Sequence, residues 1–312
     1  MNPFEEKIAA WLSRKGPPRS TNQAFDPPIV LATDVGLERS ENQDRVAALR
    51  FKSRSNEGRP VIAVAVADGM GGMRDGGKCA TIAVSSFFFA LTFYRGFDIE
   101  RRAAASISYA NDQVFNFAGG KGGTTLSAVL VDSSRRSCLV NIGDSRIYAF
   151  GGNAAVERLT RDDSLAEAVG GHGRELLQFV GMGQGMQPHI RPVAHSTGTL
   201  AITTDGIHFI DASVLQSILL HSPEARWTSE RLSALARWCG GPDNASSAII
   251  DLQSLLAQFK NDEENSVELW DAFGSLTAIW VDKELQRNEI GLVVFAIRSS
   301  PAPLAIEGIR SL

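Results

Sequence analysis

The chain has 312 residues, 44% of them hydrophobic and 21% charged, with a formal net charge of −4. That composition supports an ordinary soluble core, and its acidic balance argues against a nucleic-acid surface, which favours cations. Cys79, Cys138 and Cys239 are far apart and odd in number, so neither a disulfide framework nor a zinc knuckle is expected, and a reducing cytoplasm is the expected setting.

The N-terminal string MNPFEEKIAAWLSRKG carries acids early and has no apolar signal core. Within it, residues 4–13 place Phe4, Ile8, Trp11 and Leu12 on one helical face. Lys15 to Pro28, rich in Pro, Ser and polar residues, reads as a linker, so 1–28 is expected to be a helix plus linker. From Ile29 the pattern turns to strands. IVLATDV, PVIAVAVAD, TLSAVLVD, SCLVNI, SRIYAF, TLAITTD and ASSAIID are short apolar runs bounded by Gly, Asp, Asn or Ser. Two helical stretches near 76–94 and 99–117, split at Arg95-Gly96, interrupt them. A third lies near 225–239, with Leu232, Leu235, Ala236 and Cys239 in register. The greasiest stretch, Ala80 to Tyr94, falls short of the ~20 residues a bilayer requires and reads as a buried helix. Strands in runs with helices in pairs predict packed sheets covered by helices, not a doubly wound parallel sheet. Residues 162–195 are glycine-rich with few strand signals and read as a mobile flap within a main domain spanning 29–252. After the acidic NDEEN, LTAIWV and GLVVFAI predict a C-terminal extension (253–312) with two extra strands.

Three of the apolar runs end in an acidic turn, at Asp68-Gly69, Asp144-Ser145 and Asp205-Gly206, and Asp243 sits in a Gly-Pro-Asp-Asn turn before ASSAIID. Any one Asp-Gly is an ordinary turn dipeptide. Several acids at strand ends of packed sheets are different, because clustered carboxylates repel unless a cation lies between them. Oxygen-only ligands favour Mg²⁺ or Mn²⁺ over zinc. Other signals are weaker. GGKGGTT (119–125) fails the P-loop spacing, since Gly122 follows Lys121. GMGQG (181–185) is a lone glycine cluster. The five histidines lack metal-ligand spacing, with His189 and His195 read as surface residues and His208 as packing. Phe87, Phe88 and Phe89 read as core. No cysteine has an Arg six positions on, so a Cys-x5-Arg phosphate loop is absent.

Taken in order, the strings DVGLERSENQDR (34–45), VADGMGGMRDGG (66–77), GGTTLSAVLV (122–131), NIGDSRIYAF (141–150), LTRDDS (159–164), LAITTDGI (200–207) and PDNASSAII (242–250) resemble the metal-dependent protein phosphatases of the 2C family. The resemblance covers about 29–252, and the DGMGG form looks like the bacterial branch. It implies an α+β fold, a four-layer αββα sandwich of two mainly antiparallel sheets flanked by helices. It implies two Mn²⁺ or Mg²⁺ ions, with a third weaker one. Asp68 would bridge the pair, the Gly69 carbonyl would ligate one ion, and Asp205 and Asp243 would complete the other. Asp144 would help hold the third ion. Asp44, backed by Asn244, would hydrogen-bond water on the metals, and Arg39 would hold the substrate phosphate with its planar fork. The implied reaction is hydrolysis of phosphoserine or phosphothreonine on proteins by a metal-bridged hydroxide, without a phosphoenzyme. A cognate Ser/Thr kinase is the implied counterpart, and neither a membrane nor a nucleic acid is an expected partner.

Three positions depart from the family pattern. Gln43 stands where a Glu serves the second metal; an amide oxygen can still ligate, but the site loses one negative charge. Met70 replaces a His that eukaryotic relatives carry as a candidate general acid. Asp163 replaces the His of the LT-x-D-H-S string, and a structural effect at the base of the flap is expected. The Gln43 change keeps a second reading open, a phosphatase-fold protein with weak or lost catalysis that works as a regulatory binding module. Specificity is expected from the flap and the C-terminal segment, because the metal core is generic.

Overall fold

The computed structural model describes residues 2–26, 28–53, 58–71, 75–151, 154–170, 175–194, 198–257, 259, 266–280 and 293–299. In chain order the elements are α1 (Pro3–Leu12), β1 (Arg19–Phe25), β2 (Pro28–Asp34), β3 (Arg45–Lys52), β4 (Val61–Ala67), α2 (Gly76–Phe93), α3 (Ile99–Ala118), β5 (Leu126–Asp132), β6 (Ser137–Ile142), β7 (Arg146–Gly151), β8 (Ala154–Arg158), α4 (Leu165–Val169), β9 (His189–Pro192), β10 (Thr199–Thr203), α5 (Asp205–His208), α6 (Ala212–His221), α7 (Ala225–Trp238), β11 (Ala245–Asp251), α8 (Leu252–Leu256), β12 (Ser266–Asp271), β13 (Gly274–Trp280) and β14 (Val293–Ser299). They form a six-stranded sheet, β1-β2-β11-β10-β7-β8, and an eight-stranded sheet, β14-β13-β12-β3-β4-β5-β6-β9. Every strand pairing is antiparallel.

The layering follows from side-chain alternation. In VIAVAVA of β4 every residue is buried, because both faces are covered. Ile62, Val64 and Val66 point into the core between the sheets with Val46, Ile147, Leu200, Ile202 and Ile250. Val61, Ala63, Ala65 and Ala67 point the other way, under α2 and α3. Branched residues thus fill the space between the sheets, and small alanines let the helices approach. The outer face of the six-stranded sheet packs Val30, Ala201 and Ile249 against Leu215, Leu219, Leu232 and Ala236 of α6 and α7. The result is the expected αββα order. Helix α2 is long and apolar enough to cross a membrane by composition, yet 89% of it is buried in this fold. It is a core helix, and Phe87 and Phe88 are core residues.

Three sequence expectations change. The stretch read as a linker contains β1, which pairs with β2 along its whole length. An edge strand bonds through its backbone on one side only, so RSTNQAF needs no apolar signature. The C-terminal extension supplies three strands, not two: SVELWD forms β12, which pairs with β3, so the extension continues the eight-stranded sheet. The flap is anchored through its second half. β9 pairs with β6, Val180 is fully buried, and Asn111 Oδ1 accepts the Gly181 N–H at 2.9 Å. Gly181 adopts φ +106, and a Cβ there would lie 2.5 Å from Val114, so its glycine serves a close approach as well as a turn.

The N-terminal segment meets the β12–β13 turn. Phe4, Ile8, Trp11 and Leu12 are buried as expected, and α1 lies on α2. Buried Glu5 accepts hydrogen bonds from Ser86 Oγ and Tyr109 Oη. Arg14 stacks 4.0 Å from the Trp11 ring and forms a bidentate pair with Asp271, at 2.6 and 2.7 Å. Asp271 Oδ1 also accepts the Phe273 and Gly274 amides, closing the β12–β13 turn. Replacing Asp271 by Ala strips a mostly buried partner from Arg14 and two turn amides, and is expected to lower the unfolding free energy by about 2–4 kcal/mol. Breaking the exposed Arg226–Glu230 pair is expected to cost less than about 0.5 kcal/mol. Urea denaturation of both variants measures the difference, and equal losses would contradict the assignment.

Candidate active site

Four turns at one end of the sandwich carry the acids. Asp68 follows β4. Its amide donates to Thr125 Oγ1 at 2.9 Å, and its carbonyl accepts from Thr125 N and from Thr124 Oγ1. Thr125 Oγ1 also lies 2.8 Å from Ser145 Oγ, so a hydroxyl pair ties the Asp68 turn to the β6–β7 turn holding Asp144. Asp205 begins α5 where β10 ends. Beside it, Thr204 donates its hydroxyl to Asp44 Oδ2 at 3.0 Å and its amide to the Ser246 carbonyl. Asp243 closes the turn before β11, and its Oδ1 accepts the Asn244 amide at 2.8 Å.

The loop between β2 and β3 completes the site. Asn244 brackets it from the far side: its Nδ2 donates to the Val35 and Glu41 carbonyls, and its Oδ1 accepts the Gln43 amide at 2.7 Å. Gly36 has φ +84, and a Cβ there would lie 2.4 Å from the Asp243 carbonyl. Only glycine lets the loop pass this close. Gly206 is equally tight against the other turn, its Cβ position 2.0 Å from the Asn244 carbonyl. Gln43 is drawn against the Gly69 turn: a Cβ on Gly76 would meet its Oε1 at 3.0 Å, and one on Gly69 its carbonyl at 2.8 Å. Arg39 is half-exposed, and its Nη2 contacts Asp243 Oδ2 at 2.7 Å. Arg39, Asp205, Gly206, Phe209, Pro242 and Asp243 line one cleft.

The electrostatics are those of an anionic cluster. Burial pushes the Asp44 carboxyl up to about 7, and the charges of Asp205 and Asp243 add to this. Asp144 is also raised to about 7, by burial first and then by Asp205 and Asp162. Asp68 is held well above the ordinary carboxylate range by burial and by Asp44, Asp205, Asp144 and Asp243. Opposing this, the hydrogen bond and charge of Asp243 stabilise the Arg39 cation.

The donor set suits a hard divalent cation: carboxylates, the Gly69 carbonyl, and no histidine or thiolate among the acids. Asp44 Oδ1 is buried with no hydrogen-bond partner among the described residues, as expected of an oxygen that serves a bound group. Among the described residues, no three His, Cys, Asp or Glu side chains already stand in ligating geometry. Asp243 is engaged by Arg39.

Sequence reasoning did not single out Thr125, Ser145, Thr204 or Phe209, which position or line the site. Ser, Thr and Phe are too common for a spacing rule to find them. His189 is exposed, as expected, and its Nε2 lies 2.7 Å from Asp163 Oδ1, while His195 lies outside the described residues. Asp163 also accepts the Gly143 amide and a Gln178 Nε2 proton, and so ties the flap to the Asp144 turn. His208 is buried core, with Nδ1 2.9 Å from Thr203 Oγ1.

Comparison with known proteins agrees with this fold. The family model described as protein phosphatase 2C matches residues 38–240. The serine/threonine protein phosphatase PstP of Mycobacterium tuberculosis is 26% identical over 285 residues, covering 82% of this chain and 52% of PstP. The chain therefore spans about half the length of that relative. Protein phosphatase PhpP of Streptococcus pneumoniae is 28% identical over 246 residues, covering 72% of this chain and 97% of PhpP. The solved catalytic domain of PstP in complex with two manganese ions matches with a TM-score of 0.58 at 26% identity, covering 72% of this chain and 96% of that one.

The raised carboxyls predict a pH signature. In chelating buffer the folded state holds protons on Asp44 and Asp144 that the unfolded chain releases near pH 4. Stability is then full below about pH 4 and is lost as pH rises through about 7. Thermal melts across this range are expected to show the fall in wild type and a shallower one in Asp44→Asn. A flat wild-type profile would refute the clustering.

Proposed function

The chain belongs to the protein phosphatase 2C family, and from that premise we propose that it is a metal-dependent protein serine/threonine phosphatase acting on phosphoproteins in the cytoplasm, opposite a Ser/Thr kinase. The observation that carries this reading is the convergence of the Arg39 guanidinium with Asp205 and Asp243 on one cleft, beside Asp68, whose charge they perturb. Asp68, the Gly69 carbonyl, Asp205 and Asp243 would hold two Mn²⁺ or Mg²⁺ ions, with Gln43 at the second and Asp144 serving a weaker third. When bound, the ions supply an activated water and neutralise charge on the phosphoryl group.

The chain's own groups do the rest. Arg39 presents parallel N–H donors to phosphate oxygens and orients the ester for in-line attack. It takes up the phosphate by exchanging its contact with Asp243. Asp44 Oδ1, the buried oxygen without a partner among the described residues, accepts a hydrogen bond from the attacking water, while Thr204 keeps Oδ2 in place. Phe209 and Pro242 wall the cleft. No thiolate competes as nucleophile at the buried positions: burial pushes the Cys79 thiol up to about 11 and raises Cys138 as well. Direct attack by water is the route this reading assigns.

Gln43 favours a second reading, a weakened catalyst acting as a phosphoprotein-binding module. One set of assays separates the two. With Mn²⁺, wild type is expected to hydrolyse p-nitrophenyl phosphate and a phosphothreonine peptide, and EDTA or Asp68→Asn to abolish turnover. Arg39→Ala is expected to lower kcat/KM by about 10²-fold, with Lys failing to restore it. Gln43→Glu is expected to tighten Mn²⁺ binding. A wild type inert at saturating Mn²⁺ that still binds phosphoprotein would establish the binding module instead.

A further inference from the structure

Arg39 lines two cavities. One is the acidic cleft already described. The other, of about 410 Å³, lies on its opposite side, between the N-terminal segment, the β2–β3 loop and the β12–β13 turn. That volume is in the range of sites that take a small group, ~300–1,000 Å³. Two of its three walls, residues 12–18 and 271–273, fall outside the 38–240 region that matches the family model. The cavity is thus an addition to the shared core.

Its walls are built and braced. Leu12, Pro17, Pro18, Val35, Val46 and Phe273 supply an apolar lining. Phe273 seats on Gly16 so closely that a Cβ there would lie 2.5 Å from the ring. The Pro18 carbonyl accepts the Val35 amide at 2.8 Å, which joins the N-terminal wall to the loop bearing Arg39. Ser20 Oγ donates to the Ala272 carbonyl at 2.7 Å, and Asn22 Nδ2 to the Asp271 and Gly274 carbonyls. The charges on the walls are largely spent internally: Arg14 on Asp271, and Arg45 on Thr81 and the Asn42 and Asp44 carbonyls. Lys15 and Glu41 bring one charge of each sign. Arg39 and the Asp44 carboxyl close the side towards the cleft, and the rest of the cavity offers apolar surface between polar groups that are mostly paired.

We propose that this cavity is a specificity pocket for the phosphoprotein substrate, taking an apolar side chain close in sequence to the phosphoresidue. The proposal rests on the phosphatase reading above. A phosphate on Arg39 puts the flanking chain beside the shared wall, and at ~3.3–3.6 Å per extended residue the pocket lies within about four positions of the phosphoresidue. A rigid apolar cavity rewards an aliphatic or prolyl side chain and penalises a charge that it cannot pair.

The test uses the full chain with Mn²⁺ and phosphothreonine peptides carrying Leu, Pro, Gly, Asp or Lys at each of four positions on either side. At one position, Leu or Pro is expected to exceed Gly in kcat/KM by about tenfold, the effect of filling an apolar pocket, mainly through KM. Within Phe273→Ala and Pro17→Arg, that ratio is expected to fall towards one, two variants guarding against a folding artefact. p-Nitrophenyl phosphate, which has no flank, is assayed beside them. Turnover of p-nitrophenyl phosphate with a flat peptide profile, or a preference that survives both substitutions, would overturn the pocket and leave the phosphatase reading standing. No turnover of either substrate would overturn both.

Discussion

Carboxylates that must share a small volume at the ends of packed strands are the constraint on which the rest of this molecule depends. Asp44, Asp68 and Asp144 hold their protons more tightly than free carboxyls, through burial first and then through the charges of neighbouring acids, Asp205 acting on all three. A chain does not hold such an arrangement without bracing it. The bracing is visible as a set of short polar links: Thr125 to Ser145, Thr204 to Asp44 and Ser246, Asn244 to three groups of the β2–β3 loop. Each joins two turns that carry functional residues. Buried polar networks of this kind are valuable only when satisfied, and Asp44 Oδ1 is among the buried oxygens without a hydrogen-bond partner among the described residues.

The same constraint explains the glycines. Gly36 and Gly206 lie where a Cβ would strike the backbone of the Asp243–Asn244 turn. Close packing of three loops concentrates donors and charge in the cleft, and a methyl group at either position would separate them. The sandwich supplies the rigid base. Valines of β4 interlock with the second sheet and its alanines admit α2 and α3, so the strand that ends in Asp68 is fixed on both faces.

What could be read from the sequence divides along physical lines. Long apolar runs that stop at Asp-Gly or Gly-Asp were legible because hydrophobicity and turn chemistry change at one residue. The buried helix at 76–93 and the helix ending at Trp238 were legible for the same reason. Strand β3, RVAALRFK, was passed over, since its Arg and Ala content hides a strand buried by its neighbours. β1 was hidden by the polarity an edge allows. Helix α6 lacks a polar face sharp enough to mark it. In the site, Asp68, Asp205 and Asp243 are legible from the turns in which apolar runs end, and Arg39 and Asn244 only through the family resemblance. What no residue pattern carries is geometry: the role of Asn244 as a bracket and of Thr204 as a bridge exists only once distant turns meet.

Beyond the shared core, the Arg14–Asp271 pair, the Gly16–Phe273 contact and the Pro18–Val35 hydrogen bond form a chain of links from the N-terminal segment and the β12–β13 turn to the loop that bears Arg39. A strand added at a sheet edge has no need of such links to be stable, because its ladder suffices. Their direction, towards the β2–β3 loop, makes sense if the position of that loop matters to what the chain does. A metal centre of the kind proposed, at the end of the sandwich, would recognise a phosphate and little else. Selectivity for one phosphoprotein over another then has to come from surfaces beside the cleft, and those surfaces are useful only if they hold their place relative to Arg39. Bracing the loop against the N-terminal segment and the β12–β13 turn meets that requirement while leaving the four acidic turns untouched.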